Sequence, residues 1–344
     1  MQKNVALVGY GYAGQTFHAP LIDAEPRLRL AAVVSSDPTK VRAQRPDIRV
    51  EPDVRAVLSD PTIDLVVIAT PNDSHAPLAH AAIEAGKAVV VDKPLALTLA
   101  EARAIAVHAA ERGTLLSVFH NRRWDADFLT IRHAIDEGML GNIVHFESHF
   151  DRFRPAVRNR WRENPGPGSG VWADLGPHLV DQTLCLFGMP ERVIASSGAL
   201  RPGALTDDWM HVVLEYPTVR CILHAGMLVA GGSARFIIHG SEASLVKHGL
   251  DPQEAQLIAG IVPGSERWGY DPTPITCYDA KGNPYPLVPT RGNYPRYYAG
   301  IADALAGAPL HVTAMQSLAV MAVVEAAAEA ACSGVAQSVP TFAL

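Results

Sequence analysis

The chain has 344 residues, of which 48% are hydrophobic and 19% are charged, and its formal net charge is −6. This length suits two domains of ordinary size, and the composition excludes the disordered and fibrous classes. The negative charge argues against nucleic acid as a partner, because a phosphate backbone would be repelled.

The first 120 residues alternate short apolar runs with helical segments. The apolar runs predict buried strands over residues 5–8, 28–34, 65–69, 88–91 and 115–119, and the segments between them predict helices over 16–24, 76–85 and 99–112. Strands that alternate with helices form βαβ units, so this part of the chain is predicted to contain a parallel sheet.

After Trp124 the pattern changes to alternating strands separated by turns. A helix is predicted over residues 128–137, followed by strands over 143–150, 209–216, 219–227 and 235–239. This alternation predicts an α+β domain over residues 123–344, with a large, mainly antiparallel sheet that is open on one face. Residues 251–293 are predicted to be loops, and helices 295–306 and 315–331 close the chain and can pack back on the first domain.

A glycine-rich loop, Gly9-Tyr10-Gly11-Tyr12-Ala13-Gly14, follows the first strand and precedes a helix. Gly9 permits the tight turn, Gly11 lets a pyrophosphate approach the backbone, and Gly14 allows close packing of helix on sheet. A plain glycine turn is the alternative. The context predicts an N-terminal α/β Rossmann domain over residues 1–122 that binds NAD or NADP, with Tyr12 and Ala13 beside the cofactor.

The end of the second strand, Ser35-Ser36-Asp37, bears on the choice between the two cofactors. An acidic residue at the tip of this strand holds the ribose hydroxyls of NAD. If Asp37 lies too far along the chain to do so, Ser35, Ser36 and Lys40 are available for the 2′-phosphate of NADP. Both alternatives stay open, and we favour NADP.

Polar residues follow the strand 65–69 at the edge of the sheet where dinucleotides bind. Thr70, Pro71 and Asn72 are therefore predicted neighbours of the cofactor. His75 either binds the cofactor or packs at the start of the next helix.

A lysine follows the strand 88–91, in the segment Asp92-Lys93-Pro94. Pro94 restricts the backbone of Lys93 and makes a cis peptide bond possible, which would fix the direction of the lysine side chain. A surface lysine before a turn is the alternative.

The segment Asp174-Leu-Gly-Pro-His178 supplies a candidate general base. Pro177 suits the first turn of a helix, so His178 is predicted at the positive end of the helix dipole, which favours a neutral imidazole. Asp181 and Gln182 would share the face of His178, and Asp174 is predicted to precede the helix. A lone histidine of this kind is more often structural than catalytic.

Four motifs, taken in their order and spacing, resemble those of the glucose-fructose oxidoreductase/inositol dehydrogenase (Gfo/Idh/MocA) family. They are the glycine loop, Thr70-Pro-Asn-Asp-Ser-His75, Asp92-Lys-Pro94 and Asp174-Leu-Gly-Pro-His178. The resemblance covers essentially the whole chain. The segments Gly14-Gln-Thr-Phe-His-Ala-Pro-Leu21 and 119–124 resemble the scyllo-inositol dehydrogenase-like branch. In the family a Glu-Lys-Pro lysine and an Asp-x-x-x-His pair meet at the nicotinamide, whereas this chain has Asp92 in place of the usual glutamate.

The resemblance implies reversible oxidation of a secondary hydroxyl on a sugar, an inositol or a related polyol, without a metal. It implies that His178 takes the hydroxyl proton, Lys93 stabilises the oxygen, and Asp174 orients its partners, all three in contact with the substrate. It also implies a homodimer or homotetramer. The alternatives are a non-catalytic NAD(P)-binding regulator of the same fold and a family member that acts on a non-sugar substrate.

Two basic segments allow more than one interpretation. Asn121, Arg122 and Arg123 lie at the predicted domain junction, where they either line the substrate pocket or form salt bridges between the domains. A second run leads to the predicted catalytic helix and is interpreted as a solvated or subunit-contacting face rather than an anion site; it comprises Arg152, Arg154, Arg158, Arg160 and Arg162.

The remaining features favour a cytoplasmic enzyme without a membrane anchor. The four cysteines are widely spaced, so buried thiols are expected rather than a zinc site or disulfides. The N-terminus shows no signal-peptide core. The alanine-rich stretch 318–331 contains Glu325 and Glu329, which argues against a membrane span.

Overall fold

Residues 2–340 are described by the computed structural model, and the chain divides into two units. The first unit comprises Met1–Trp124, Pro252–Gly269 and Asn293–Leu318, and the second comprises Asp125–Asp251, Tyr270–Gly292 and Ala319–Leu344. The sequence predicted one boundary between residues 122 and 123. The first segment of the first unit ends close to this boundary, at Trp124, and two later segments also belong to that unit. Apolar periodicity predicts that such segments are buried but not which core they join.

The strands are β1 (Lys3–Val8), β2 (Leu28–Val34), β3 (Arg49–Glu51), β4 (Leu65–Ile68), β5 (Ala88–Val91), β6 (Leu116–Val118), β7 (Ile143–Asp151), β8 (Arg192–Gly198), β9 (Trp209–Glu215), β10 (Arg220–Gly226), β11 (Ala234–Gly240), β12 (Ser244–His248), β13 (Ile275–Tyr278), β14 (Pro284–Leu287) and β15 (Gln337–Ser338).

The α-helices are α1 (Ala19–Asp23), α2 (Pro38–Arg42), α3 (Arg55–Leu58), α4 (His75–Glu84), α5 (Leu99–Glu111), α6 (Ala126–Asp136), α7 (Gly170–Phe187), α8 (Gln253–Ile258), α9 (Pro295–Leu305) and α10 (Ala314–Ser333). A π-helical turn, Gly14–His18, precedes α1 directly, and short 3₁₀ turns cover Asn72–Ser74, Asn121–Trp124 and Trp161–Glu163.

The first unit is built on a parallel sheet with the strand order β3-β2-β1-β4-β5-β6. The chain runs outward from β1 in both directions, so the strand order reverses between β1 and β4. In open α/β sheets ligands bind at the carboxyl ends of the strands beside such a reversal. The predicted Rossmann fold is therefore confirmed, and the ends of β1, β4 and β5 meet at one edge.

The second unit contains a nine-stranded sheet with the order β14-β13-β12-β11-β7-β10-β9-β8-β15. Its pairs are antiparallel except for β7 with β10, which run parallel. Helix α7 packs on one face, where alternate strand residues such as Phe146, Val212 and Leu223 form the core. The prediction of a mainly antiparallel sheet is confirmed.

The prediction of loops over residues 251–293 is wrong. This stretch contains α8, β13 and β14, and the sequence also failed to predict β8 and β12. Strand β14 includes Pro284 and Pro286, which disfavour a strand locally, yet β14 lies at the sheet edge, where proline is tolerated. Tertiary pairing thus overrides the weak local pattern.

Two further expectations concern the four cysteines and the alanine-rich stretch near the end of the chain. Cys221 and Cys277 are buried as expected, but Cys185 and Cys332 are exposed, so the expectation of four buried thiols is wrong for those two. Helix α10 is long and apolar enough to cross a membrane, although more than half of that stretch is buried inside the structure. Core helices of globular proteins meet the same criterion.

Candidate active site

The glycine loop at the end of β1 is held by close backbone contacts. Gly9 has a φ of 96°, and a Cβ there would lie 2.5 Å from the Ala69 carbonyl oxygen. A Cβ on Gly14 would lie 2.3 Å from the Gly9 carbonyl oxygen. A Cβ on Gly11 would meet no atom within 4 Å. Gly9 and Gly14 are therefore required by the fold itself, whereas Gly11 leaves open space beside the backbone.

The helix after the loop starts with the π turn Gly14–His18 rather than a regular α-helix. A π turn is wider than an α turn and is often found at functional sites. His18, the last residue of this turn, is completely buried. Tyr12 is more than half exposed, and its hydroxyl donates to Glu254 Oε1 at 2.8 Å.

The end of β2 uses its acidic residue locally. Asp37 caps α2, since its Oδ1 accepts from the Lys40 backbone N–H at 3.0 Å. The Ser35 hydroxyl accepts from the Asp37 N–H at 3.1 Å. Ser36 and Lys40 are exposed. The carboxylate that would hold the ribose of NAD therefore already has a capping role.

The segment after β4 is tied to the segment after β5 by His75. Its Nδ1 lies 2.7 Å from the Pro94 carbonyl oxygen, and its Nε2 lies 3.0 Å from the Thr70 carbonyl oxygen. His75 is completely buried, while Asn72 is 8% exposed. His75 therefore packs in the interior at the start of α4, which was one of the two alternatives for this residue. Its imidazole links two loops at the sheet edge.

Lys93 stands at this edge, directly after β5. The Lys93–Pro94 peptide bond is cis, as the sequence suggested. Asp92 Oδ1 accepts a hydrogen bond from the Lys93 backbone N–H at 2.8 Å. The carboxylate of Asp92 is therefore coupled to the backbone that carries the lysine.

Asp174 and His178 lie on one helix in the second unit. Helix α7 spans Gly170–Phe187, so the two residues are one turn apart and share a face. His178 is 9% exposed, and its ring stacks near that of Phe150 with the centroids 6.4 Å apart. The pair that the sequence predicted across a helix boundary is therefore positioned by a single helix.

The predicted start of this helix is wrong. Pro177 is inside α7 rather than in its first turn, and Asp174 does not precede the helix. His178 thus lies in mid-helix, where the dipole of the helix end has little effect. The proline is tolerated because neighbouring residues such as Trp172, Leu175 and Leu179 anchor the helix in the core. Beyond His178, Gln182 Oε1 accepts from Arg235 at 2.7 Å, and Asp181 is buried.

Two arginines of the run before α7 approach Asp174. Arg162 Nε lies 3.4 Å from Asp174 Oδ1, and Arg152 Nη1 lies 3.9 Å from Oδ2. Both arginines stay partly exposed, so the solvated-face interpretation is compatible with these ion pairs, which the sequence did not predict. Burial, together with the charges of Arg158 and Arg160, lowers the pKa of Arg154.

The same loop contains a buried acid-base cluster that the sequence did not reveal. Arg201, 5% exposed, donates through Nε to Asp208 Oδ2 at 2.9 Å, and its Nη2 lies 3.2 Å from Glu163 Oε2. Glu163 also accepts from Arg160 Nε at 2.8 Å. This cluster holds the loop that brings Arg162 to Asp174.

Asn121, Arg122 and Arg123 form a buried 3₁₀ turn in the first unit. Arg122 Nη2 pairs with Glu254 Oε2 at 3.0 Å. Arg123 Nη1 donates to the His311 carbonyl at 3.0 Å and to Gln316 Oε1 at 2.9 Å. These partners also lie in the first unit, so the contacts hold later segments of the chain against its N-terminal part. The substrate and interdomain roles stay predictions.

The predicted site residues thus form two groups. The glycine loop, the β4 loop and Lys93 lie at one edge of the first sheet, while Asp174 and His178 belong to the second unit. Within residues 2–340, no cluster of three or more His, Cys, Asp or Glu side chains could hold a metal ion.

Comparison with known proteins agrees with this architecture. Residues 3–120 match the profile described as "Oxidoreductase family, NAD-binding Rossmann fold", and residues 132–340 match "Oxidoreductase family, C-terminal alpha/beta domain". The crystal structure of a Klebsiella pneumoniae oxidoreductase-like protein is similar with a TM-score of 0.94 and 52% identity, covering 99% of this chain and 96% of that one.

Two curated relatives match nearly end to end. The "Uncharacterized oxidoreductase YdgJ" of Escherichia coli is 52% identical over 331 residues, 95% of this chain and 96% of the relative. The "scyllo-inositol 2-dehydrogenase (NADP(+)) IolW" of Bacillus subtilis is 40% identical over 333 residues, 94% of this chain and 92% of the relative.

The fold and these matches define an NAD(P)-dependent oxidoreductase. The chain belongs to the Gfo/Idh/MocA family, so the resemblance carried by its four motifs is confirmed.

Proposed function

We propose that the chain reversibly oxidises a secondary hydroxyl of a sugar, an inositol or a related polyol, with NADP as the preferred cofactor. The observation that carries the proposal is the Asp174–His178 pair on one face of α7, in a chain that also has Lys93 at the edge of the Rossmann sheet. The similarity to an NADP-dependent scyllo-inositol dehydrogenase supports the substrate class.

The glycine loop fits a dinucleotide. The space in front of Gly11 admits a pyrophosphate against the backbone, and the sheet edge continues towards Thr70, Pro71 and Asn72. The preference for NADP is supported by the capping role of Asp37 and by the exposed Ser36 and Lys40. When bound, the nicotinamide supplies the hydride acceptor.

The side chains of this protein handle the proton and the developing charge. His178 takes the proton of the substrate hydroxyl as general base. Lys93 donates to the same oxygen and stabilises its negative charge. Asp174, one turn before His178, orients the imidazole and is itself held by Arg152 and Arg162.

The test is a panel of inositols, neutral sugars and polyols, with NADP or NAD, followed by fluorescence of the reduced cofactor. Turnover with at least one secondary alcohol is expected, and it should fall by about 10²- to 10⁴-fold in Lys93→Ala and in His178→Ala. Cofactor affinity, measured by titration, should change little in His178→Ala.

Lys281→Ala is the control, because Lys281 is an exposed lysine in the second unit, outside the proposed site. Tight NADP binding without turnover of any alcohol would instead indicate a regulator. Normal turnover in both Lys93→Ala and His178→Ala would overturn the assigned roles.

A further inference from the structure

A buried histidine lies behind the segment that carries Lys93. His18 Nδ1 is 2.7 Å from the Tyr298 hydroxyl, and His18 Nε2 is 3.9 Å from Asp92 Oδ1. Within residues 2–340, His18 Nε2 has no hydrogen-bond partner. The imidazole and Tyr298 are completely buried, and Phe119 packs on the imidazole ring at 4.3 Å between centroids.

Burial decides which of these groups carry protons. It lowers the pKa of His18 to about 4, against the opposing effect of Asp92 and with a small contribution from His75, so the ring is neutral near pH 7. Burial also raises the pKa of Tyr298 well above its ordinary value, so the phenol keeps its proton. A neutral imidazole has one N–H and one lone pair.

These constraints select one tautomer. The Tyr298 hydroxyl donates to Nδ1, because no other acceptor for it is observed within residues 2–340. The single imidazole proton is then on Nε2, the atom that faces the Asp92 carboxylate. The opposite tautomer would turn a lone pair towards a negative charge.

We propose that Tyr298 and His18 are positioning residues for Lys93: the phenol sets the tautomer of the imidazole, and the imidazole N–H steadies the Asp92 carboxylate that accepts from the Lys93 backbone. At 3.9 Å the His18–Asp92 contact is an electrostatic attraction rather than a hydrogen bond. Its effect reaches Lys93 through the 2.8 Å bond to the Lys93 N–H. This inference rests on the catalytic role proposed for Lys93.

The chain supplies a matched pair of variants. Tyr297 and Tyr298 are adjacent in α9 and equally buried, but the Tyr297 hydroxyl donates to Ser117 Oγ at 3.0 Å instead of to His18. Each change to phenylalanine removes one buried hydroxyl hydrogen bond. Only Tyr298→Phe removes the donor that selects the His18 tautomer.

We expect Tyr298→Phe to lower kcat by about three- to tenfold, the size of one hydrogen bond, with KM and cofactor affinity nearly unchanged. Tyr297→Phe should keep the wild-type kcat at a similar loss of thermal stability. In ¹⁵N-histidine NMR, the His18 signals, assigned by their loss in His18→Gln, should show the Nε2–H form in the wild type. They should show a mixture of tautomers in Tyr298→Phe but not in Tyr297→Phe.

Equal effects of the two tyrosine variants on kcat, or an unchanged His18 tautomer in Tyr298→Phe, would overturn the inference. If Tyr298→Phe does not fold, His18→Gln and His18→Met replace it. The glutamine amide can still donate towards Asp92 and should have the higher kcat, whereas equal kcat values would count against the proposal. The variant Lys93→Ala separates the two hypotheses. Normal turnover by this variant would reject the catalytic role proposed for Lys93. If Lys93→Ala is impaired but the His18 and Tyr298 variants are not, only the positioning inference is rejected.

Discussion

Asp174 and Arg162 are joined across a loop and a helix, with Arg162 Nε 3.4 Å from Asp174 Oδ1. Arg160, two residues earlier, pairs with Glu163 and contributes to holding the loop. The two arginines thus have similar places in the chain and different acidic partners. Their variants can separate an effect on Asp174 from an effect on the loop.

We expect Arg162→Ala to lower kcat/KM by up to about fivefold, since the pair is partly exposed and worth at most about 1 kcal/mol. Arg160→Ala should leave kcat/KM close to wild type and slightly lower the melting temperature. Steady-state kinetics and thermal unfolding of both variants check this. A larger loss of kcat/KM in Arg160→Ala than in Arg162→Ala would show that loop order matters more than the Asp174 contact.

The glycine loop allows a second paired comparison. A Cβ at position 14 would lie 2.3 Å from the Gly9 carbonyl oxygen, whereas one at position 11 would meet nothing within 4 Å. Gly14→Ala should therefore lower both the melting temperature and cofactor affinity. Gly11→Ala should keep the melting temperature of the cofactor-free protein and lose affinity about tenfold or more, because it fills space proposed for the pyrophosphate.

Differential scanning fluorimetry with and without NADP measures both quantities for these variants. If Gly11→Ala bound NADP normally, the pyrophosphate would have to lie elsewhere along the loop.

Cofactor choice is tested at the end of β2. Lys40 is exposed, so its side chain is available to a 2′-phosphate. Lys40→Ala should weaken NADP binding by about tenfold, the range of one charge-assisted contact, and leave NAD binding nearly unchanged. Calorimetric titration of both cofactors measures this, with Lys281→Ala as the control. Equal weakening of both cofactors would contradict the preference for NADP.

Protein stability should depend on pH through His18. The unfolded chain takes up a proton on this imidazole below about pH 6.5, whereas the folded chain, with a pKa of about 4, does not. Stability is therefore lost as the pH falls from 6.5 towards 4, by about 3 kcal/mol for this group. Above pH 6.5 both states are neutral and the contribution is constant.

Urea unfolding of the wild type and His18→Gln across this range isolates the contribution. The difference in unfolding free energy between the two proteins should change with pH, while His133→Gln, at an exposed position, should follow the wild type. A difference that is independent of pH would mean that His18 can be protonated in the folded protein.

Local motifs account for what could be predicted from the sequence. The roles of Gly9 and Gly14 depend on neighbours within the same βα unit or the adjacent strand, and the cis bond before Pro94 is a property of one dipeptide. The start of α7 could not be predicted, because a proline inside a helix is unfavourable locally and only core packing compensates.

Contacts distant in sequence could not be predicted at all. His18 lies in the segment 14–21, which resembles one branch of the family, but its partner Tyr298 is 280 residues away along the chain. The approach of Arg162 to Asp174 depends in the same way on Arg201 and Glu163, which hold the intervening loop. Charge patterning predicts that an arginine run is basic but not which carboxylate it meets.

The discontinuity of the first unit has a consequence for how the protein is made. Its buried hydrogen bonds join Ser117 to Val312 and His18 to Tyr298, and its ion pairs join Arg122 to Glu254. During synthesis the ribosome therefore releases the whole Rossmann sheet long before the segments that complete it. A contiguous N-terminal fragment that ended after the sheet would lack these partners, so the nucleotide-binding half completes this packing only after most of the polypeptide has emerged.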